Sequence, residues 1–256
     1  MRKTLIGSAL VCFVSYLILF LGMSRRPNFY DEGLVLTAAM RVTAGQIPHR
    51  DFYANYGPAQ FYILAGLFKV FGESILVERL FDLLIKALIV TSVYAIASSY
   101  CRRSVAVCVS IVTVLWLIGL SAWAGTAIIP VSLLNLISSG LILPLFLRRV
   151  SIRRMFAAGA VAGMATLFRY DTGVALLGIH ACVITIAVYL RFTGISNRLR
   201  TFAAIFWPYL LGGAVVTLPV ALYYLSVAPL HPFVHDIILY PAKYYRRGRN
   251  LLLGHR

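Results

Sequence analysis

Only eight Asp and Glu residues occur in the 256-residue chain, so each is a distinct candidate for chemistry. The sharpest grouping is Tyr30-Asp31-Glu32-Gly33, directly after the first apolar run. A carboxylate held beside lipid can act as a general base: it accepts the proton of an acceptor hydroxyl while that oxygen attacks a lipid-linked group. Asp31 is the candidate for that role. The competing reading is that two acids in a helix's first turn merely complement its dipole. A second carboxylate, Asp51, lies in the stretch from His49 to Pro58, among Phe52, Tyr53 and Tyr56. Such a segment can hold a sugar by ring stacking and hydrogen bonds, or it can be an aromatic belt with a turn.

Further along, Glu78, Arg79, Asp82 and Lys86 interrupt an apolar run. Arg79 to Asp82 is i,i+3 and Asp82 to Lys86 is i,i+4, which places the three on one helix face. Ionisable groups at membrane depth are costly and face a bundle interior or a cavity. Arg79 is therefore either a partner for a lipid phosphate or part of a self-neutralised ladder. Arg169-Tyr170-Asp171 divides two apolar runs; Arg169 can contact phosphate with Asp171 orienting it, or the two form a loop ion pair. Near the C-terminus, Lys243 and Tyr244 belong to a basic, tyrosine-rich stretch that can grip an anionic head group or adhere to lipid without specificity. His231 and His235 stand i,i+4 beside Asp236, a weak metal candidate without a clear third ligand. Walker, Gly-x-Ser-x-Gly and Rossmann glycine patterns are missing.

The elements that must position these residues are apolar helices. Hydrophobic residues make up 61% of the chain and charged residues 12%, with mean hydropathy +0.85. A soluble domain carries about 25% charged residues, so too few charges exist here to clothe a globule. Runs approaching the roughly 20 residues needed to span a bilayer cover 4–23, 75–100, 105–123, 128–147, 172–190 and 203–227, with a shorter one at 155–168. The first has no small-x-small cleavage site and reads as a retained span. Backbone groups in lipid must bond internally, so these runs are helices. The expected architecture is all-α and polytopic, with about seven transmembrane helices in a single domain, 1–256. Between the first two runs, residues 24–72 form a loop with a helix capped at Asn28 and ended by Gly45 and Pro48. An interfacial helix follows from Pro58 to Phe71. Cys12, Cys101, Cys108 and Cys182 show no disulfide or zinc spacing.

Net charge is +16. The cations cluster between apolar runs, which speaks for membrane orientation and against nucleic acid. Arg2, Lys3, Arg102, Arg103, Arg148, Arg149, Arg153, Arg154, Arg191, Arg198 and Arg200 all fall in the cytoplasm if the amino terminus does. The loop 24–72 and the tail 228–256 then face outward. Arg25, Arg26, Lys243, Arg246, Arg247 and Arg249 break the pattern, and a phosphate ligand is one explanation.

The order of pieces Phe29-Tyr30-Asp31-Glu32-Gly33-Leu34, Gly45 to Tyr53, Tyr56-Gly57-Pro58, Phe71-Gly72-Glu73-Ser74 with Arg79, then Arg169-Tyr170-Asp171 and Tyr240-Pro241 resembles the GT-C membrane glycosyltransferases. Those include protein O-mannosyltransferases, the aminoarabinose transferases of lipid A and bacterial lipopolysaccharide galacturonosyltransferases, the last being most similar. The resemblance implies an inverting enzyme of the bacterial inner membrane, with its amino terminus cytoplasmic and its first loop periplasmic. It implies a polyprenyl-phosphate-linked sugar as donor and a glycan, lipid or protein hydroxyl as acceptor, with no certain cofactor. Asp31 would be the catalytic base, Glu32 would assist or fix the helix start, and Arg79 or Arg169 would stabilise the leaving phosphate. Family members are usually longer, so a C-terminal acceptor-binding domain is expected to be missing and the chain is expected to be a truncated or minimal form. The rival readings are a transporter or flippase for lipid-linked sugars, and a non-catalytic partner subunit.

Overall fold

The computed structural model describes residues 2–24, 27–28, 31–54, 56–120, 125–146, 151–191, 194–228, 230–240 and 243. Its regular elements are helices: α1 (Arg2–Leu21), α2 (Asp31–Thr43), α3 (Pro58–Phe71), α4 (Ile75–Tyr100), α5 (Arg103–Gly119), α6 (Ile128–Ile142), which runs on as a 3-10 turn, Leu143–Phe146, α7 (Ile152–Phe168), α8 (Tyr170–Arg191), α9 (Ile195–Val227) and α10 (Leu230–Val234), which runs on as a π turn, His235–Leu239. Among the described residues no strand forms; an isolated bridge joins Pro48 to Phe52.

Local chemistry sets the helix ends. Pro58 opens α3, where its missing N–H costs nothing, and Gly72 at φ 86° closes it. The Ser74 hydroxyl accepts from the Leu76 N–H at the start of α4, and Ser151 accepts from the Arg154 N–H at the start of α7. α9 is longer than the apolar run that marks it. Arg198 and Arg200 lie within its first two turns, and it carries Pro208 and Pro219 in its interior.

The long helices alternate in direction. Gly7 of α1 faces Tyr94 of α4 at one end, and Leu19 shares a core with Leu83 at the other. Gly22 meets Ile118 of α5, and Gly125 before α6 meets Glu32 of α2. α7 is the central helix and is built of small residues. A Cβ on Gly159 would stand 1.8 Å from the Tyr209 carbonyl oxygen, and one on Gly212 would stand 2.0 Å from the Phe156 oxygen. Such residues let helix backbones touch where water supplies no hydrophobic drive. A polar brace crosses this core: Ser139 Oγ and Tyr209 Oη bond the two ring nitrogens of buried His180 at 3.1 and 2.9 Å.

Outward surfaces are apolar. Val112, Leu115 and Trp116 of α5 and Trp207, Leu211 and Leu222 of α9 are exposed, while Asp82, Lys86 and Ser138 are buried. Four helices are long and apolar enough to cross a membrane: Ile75–Tyr100, Ile128–Phe146, Tyr170–Arg191 and Ile195–Val227. The chain is therefore a membrane protein by composition and form. These helices match four of the seven expected spans; α1 is apolar from Ile6 to Leu21, and Arg103–Gly119 is a shorter apolar helix. α7, at 17 residues, opens with Arg153 and Arg154 and is rich in Ala and Gly, so its sequence suits a buried centre more than a lipid face. α3 packs Phe61, Leu64 and Phe68 against Val35, Ala38 and Ala39 of α2, and exposes Tyr62, Ile63, Val70 and Phe71.

Alternation gives the bundle two unlike ends. Arg102, Arg103, Arg153, Arg154, Arg191, Arg198 and Arg200 gather at one, at helix ends or within their first turns. The other holds the start of α2, the loop 44–57, the turn before α6, the α7–α8 corner and α10.

Candidate functional site

The start of α2 is fixed from three directions. Asn28 and Glu32 exchange bonds in the manner of a capping box: the Asp31 N–H donates to Asn28 Oδ1 (3.4 Å) and the Asn28 N–H to Glu32 Oε2 (2.9 Å). Arg79 of α4 then donates Nε to Glu32 Oε1 at 2.6 Å and Nη2 to Oε2 at 3.0 Å, and gives Nη1 to the Ser24 carbonyl. Glu32 is 1% exposed. Gly125, at φ +78°, lies so close that a Cβ would approach Glu32 Cα to 2.7 Å, and Gln60 holds the same turn through the Gly125 carbonyl. Glu78 lies beside Glu32 and Asp82, and Lys86 pairs with Asp82 at 2.7 Å. Three carboxyls thus share two cations in a buried cluster. The expected ladder on α4 exists only in its Asp82–Lys86 half. Arg79 turns instead to α2, because a bidentate carboxylate on a neighbouring helix satisfies its planar fork better than a single i,i+3 contact.

One residue before Glu32 the environment changes. Asp31 is half-buried, and Tyr56 Oη donates to its Oδ1 in a long bond of 3.4 Å. The Arg169 guanidinium lies 5.7 Å from the centroid of the same Tyr56 ring, a cation–π distance. Arg169 also grips Asp171, Nε to Oδ1 at 3.1 Å and Nη2 to Oδ2 at 2.6 Å, with the Asp171 side chain 67% exposed. The α7–α8 corner and the loop are joined through the backbone as well. The Gly57 N–H donates to the Phe168 carbonyl (2.8 Å), and a Cβ on Gly57 would stand 2.0 Å from the Leu167 oxygen. Asp31, Tyr56, Arg169 and Asp171 are thereby brought together from α2, the loop and the α7–α8 corner.

Asp51 is held within its own loop. Its Oδ2 accepts the Ile47 N–H at 2.8 Å, Arg50 pairs with it through two nitrogens, and Arg41 donates to its carbonyl. The Arg50 bond, then the Ile47 bond, hold the exposed carboxyl below the usual range. It closes the loop on itself, which is the turn reading of that stretch. Tyr53 is exposed and leans on Tyr240 at 4.7 Å between centroids. Lys243 is exposed, and Tyr244 lies outside the described residues.

The largest surprise is His49. Its side chain is fully buried, its φ is +64°, and its Nδ1 stands 3.1 Å from Asp236 Oδ2, 187 positions away. Nε2 faces Tyr170 Oη at 3.4 Å, and Tyr224 packs edge-on at 6.1 Å. The Ala54 N–H shares Asp236 Oδ2. Burial lowers the His49 pKa, outweighing the bond and charge of Asp236 that raise it. His235 stacks on His231 at 6.4 Å between ring centroids, as their i,i+4 spacing allows, and turns Nδ1 toward Asp236 Oδ1 at 3.4 Å. Among the described residues no group of three His, Cys, Asp or Glu side chains could hold a metal. The sequence signal for His49–Asp236 was confined to a polar loop and a polar turn with no spacing to relate them.

Comparison with known proteins finds no matching family model, no matching curated protein and no matching solved structure.

Proposed function

We propose that the chain is a membrane glycosyltransferase module of the GT-C type, which transfers a sugar from a polyprenyl-phosphate-linked donor to an acceptor hydroxyl on the outward face. About seven helices cross the membrane in this reading, with α1 entering from the cytoplasm and the Arg-rich end on the cytoplasmic side. The observation that carries it is the convergence of Asp31, Tyr56 and Arg169 at the end of the bundle opposite that arginine-rich end.

Asp31 takes the acceptor's hydroxyl proton. The freed oxygen attacks the anomeric carbon, and the bond from that carbon to the phosphate oxygen breaks with its electron pair on the departing polyprenyl phosphate, inverting the centre. Tyr56 orients Asp31 by its hydrogen bond. Arg169 receives the phosphate. Its present partner, Asp171, is mostly exposed, and exposed pairs contribute about 0–1 kcal/mol. A dianionic phosphate can therefore displace it at little cost and gain a bidentate charge-assisted contact. Arg79 keeps Glu32 and the start of α2 in place, so its contribution is to position Asp31.

Proteoliposomes containing the purified chain and a synthetic polyprenyl-phosphate sugar labelled on the sugar test this reading. Label recovered on an acceptor, with free polyprenyl phosphate released, is the expected result. Label that crosses the bilayer still attached to its lipid would establish the flippase instead.

A further inference from the structure

We propose that His49 and Asp236 form a positioning pair that seats the loop 46–57 and so holds Tyr56 against Asp31; the effect on turnover rests on the transferase reading, the pair itself does not. His49 is the non-glycine residue with positive φ among the described residues. Backbone in that region costs on the order of 1 kcal/mol and persists where surrounding bonds over-determine it. Here they do. A carboxylate only accepts, so Asp236 Oδ2 requires the proton on His49 Nδ1. That leaves Nε2 as acceptor for the Tyr170 hydroxyl. The same Asp236 oxygen takes the Ala54 N–H, and the His49 N–H closes on the Phe52 carbonyl at 2.9 Å. Residues 49 to 54 are thus wound onto one buried carboxylate contributed by the turn after α10.

The chain leaves that clasp directly into Tyr56 and Gly57. Gly57 then docks on the Phe168 carbonyl, and Tyr170, which His49 holds, neighbours Arg169. Two anchors, one at each end of the loop, therefore fix Tyr56 relative to both Asp31 and the Arg169 corner. With its side chain fully buried, His49 cannot reach a ligand, so its effect on transfer passes through Tyr56.

The test uses the full chain in nanodiscs with ¹⁵N-histidine. The His49 signal, identified by its loss in His49→Asn, is expected to show a neutral ring protonated at Nδ1, and Asp236→Ala, which leaves Nδ1 without its acceptor, is expected to abolish that signature. In the transfer assay His49→Ala and Asp236→Ala are expected to lower kcat on the order of 10-fold, the scale of a small misplacement, with donor KM little changed. His49→Asn, whose amide N–H can replace Nδ1 toward Asp236, is expected to recover most of that loss, and His49→Gln less. Protonation at Nε2 in the unmodified protein overturns the pair. Unchanged kcat in His49→Ala, or His49→Asn no better than His49→Ala, overturns its positioning role. Absence of any transfer by the unmodified chain counts against the transferase reading alone, and the ring signature still decides the pair.

Discussion

Removing the Arg79 guanidinium should destabilise the protein far more than removing a surface cation. Glu32 is 1% exposed and takes two nitrogens from Arg79, at 2.6 and 3.0 Å. Arg79→Met leaves that carboxylate buried with Glu78 and Asp82 nearby and only Lys86 to offset three acids. Breaking one partner out of a buried pair costs about 3–5 kcal/mol, and in a chain of this size that lowers Tm by on the order of 10 °C. Much of the loss comes from the stranded charge rather than from the bond itself. Glu32→Gln combined with Arg79→Met should therefore be more stable than Arg79→Met alone. Thermal unfolding in detergent micelles, followed by tryptophan fluorescence, measures all three variants. If Arg79→Met keeps its Tm yet loses donor transfer, the reasoning is refuted: Arg79 would then be a phosphate contact held in reserve, not the partner of Glu32.

Three further outcomes follow from the same geometry. Gly57→Ala puts a methyl 2.0 Å from the Leu167 oxygen; overpacking of this kind costs about 1–3 kcal/mol and should lower both Tm and transfer by moving Tyr56. Stability should fall below pH 6.5. His49 binds its proton less readily when folded than at its ordinary 6.5, so the unfolded chain takes up more protons as pH drops. Its neighbours Asp236, Tyr170 and Tyr224 define that environment, and His49→Asn should flatten the Tm-against-pH curve there. With Cys12, Cys101, Cys108 and Cys182, all free, replaced by serine, a membrane-impermeant thiol reagent should label Tyr53→Cys in whole cells and leave Arg103→Cys unlabelled.

What sequence reasoning could see was set by distance along the chain. Apolar run 75–100 coincides with α4, Ile75–Tyr100, because a run bounded by Ser74 and Cys101-Arg102 carries its own limits. The start of α2 at Asp31 was legible from Asn28 for the same reason. α9 exceeded its run because a helix continues through Arg198 and Arg200 wherever no residue stops it. Spacing on α4 placed Arg79 and Asp82 on one face, yet the partner chosen was Glu32, 47 positions away. The i,i+3 rule compares only residues of one helix. Tyr56 with Asp31, Gly57 with Phe168, and His49 with Asp236 are all products of how helices stack, and no periodicity in the sequence encodes them. Asp51 was open to two readings, sugar contact or turn; what the sequence did not show is that its carboxylate caps the Ile47 N–H within its own loop.

The decisive measurement is transfer by Asp31→Asn in proteoliposomes supplied with a labelled polyprenyl-phosphate sugar. Asparagine keeps the size of the side chain and can still accept from Tyr56, but it cannot take a proton. Release of polyprenyl phosphate should fall by on the order of 10²-fold or more, the share that general-base catalysis supplies, while the variant inserts, melts and retains donor as the unmodified protein does. Transfer at the unmodified rate by Asp31→Asn would contradict the assignment of Asp31 as the base.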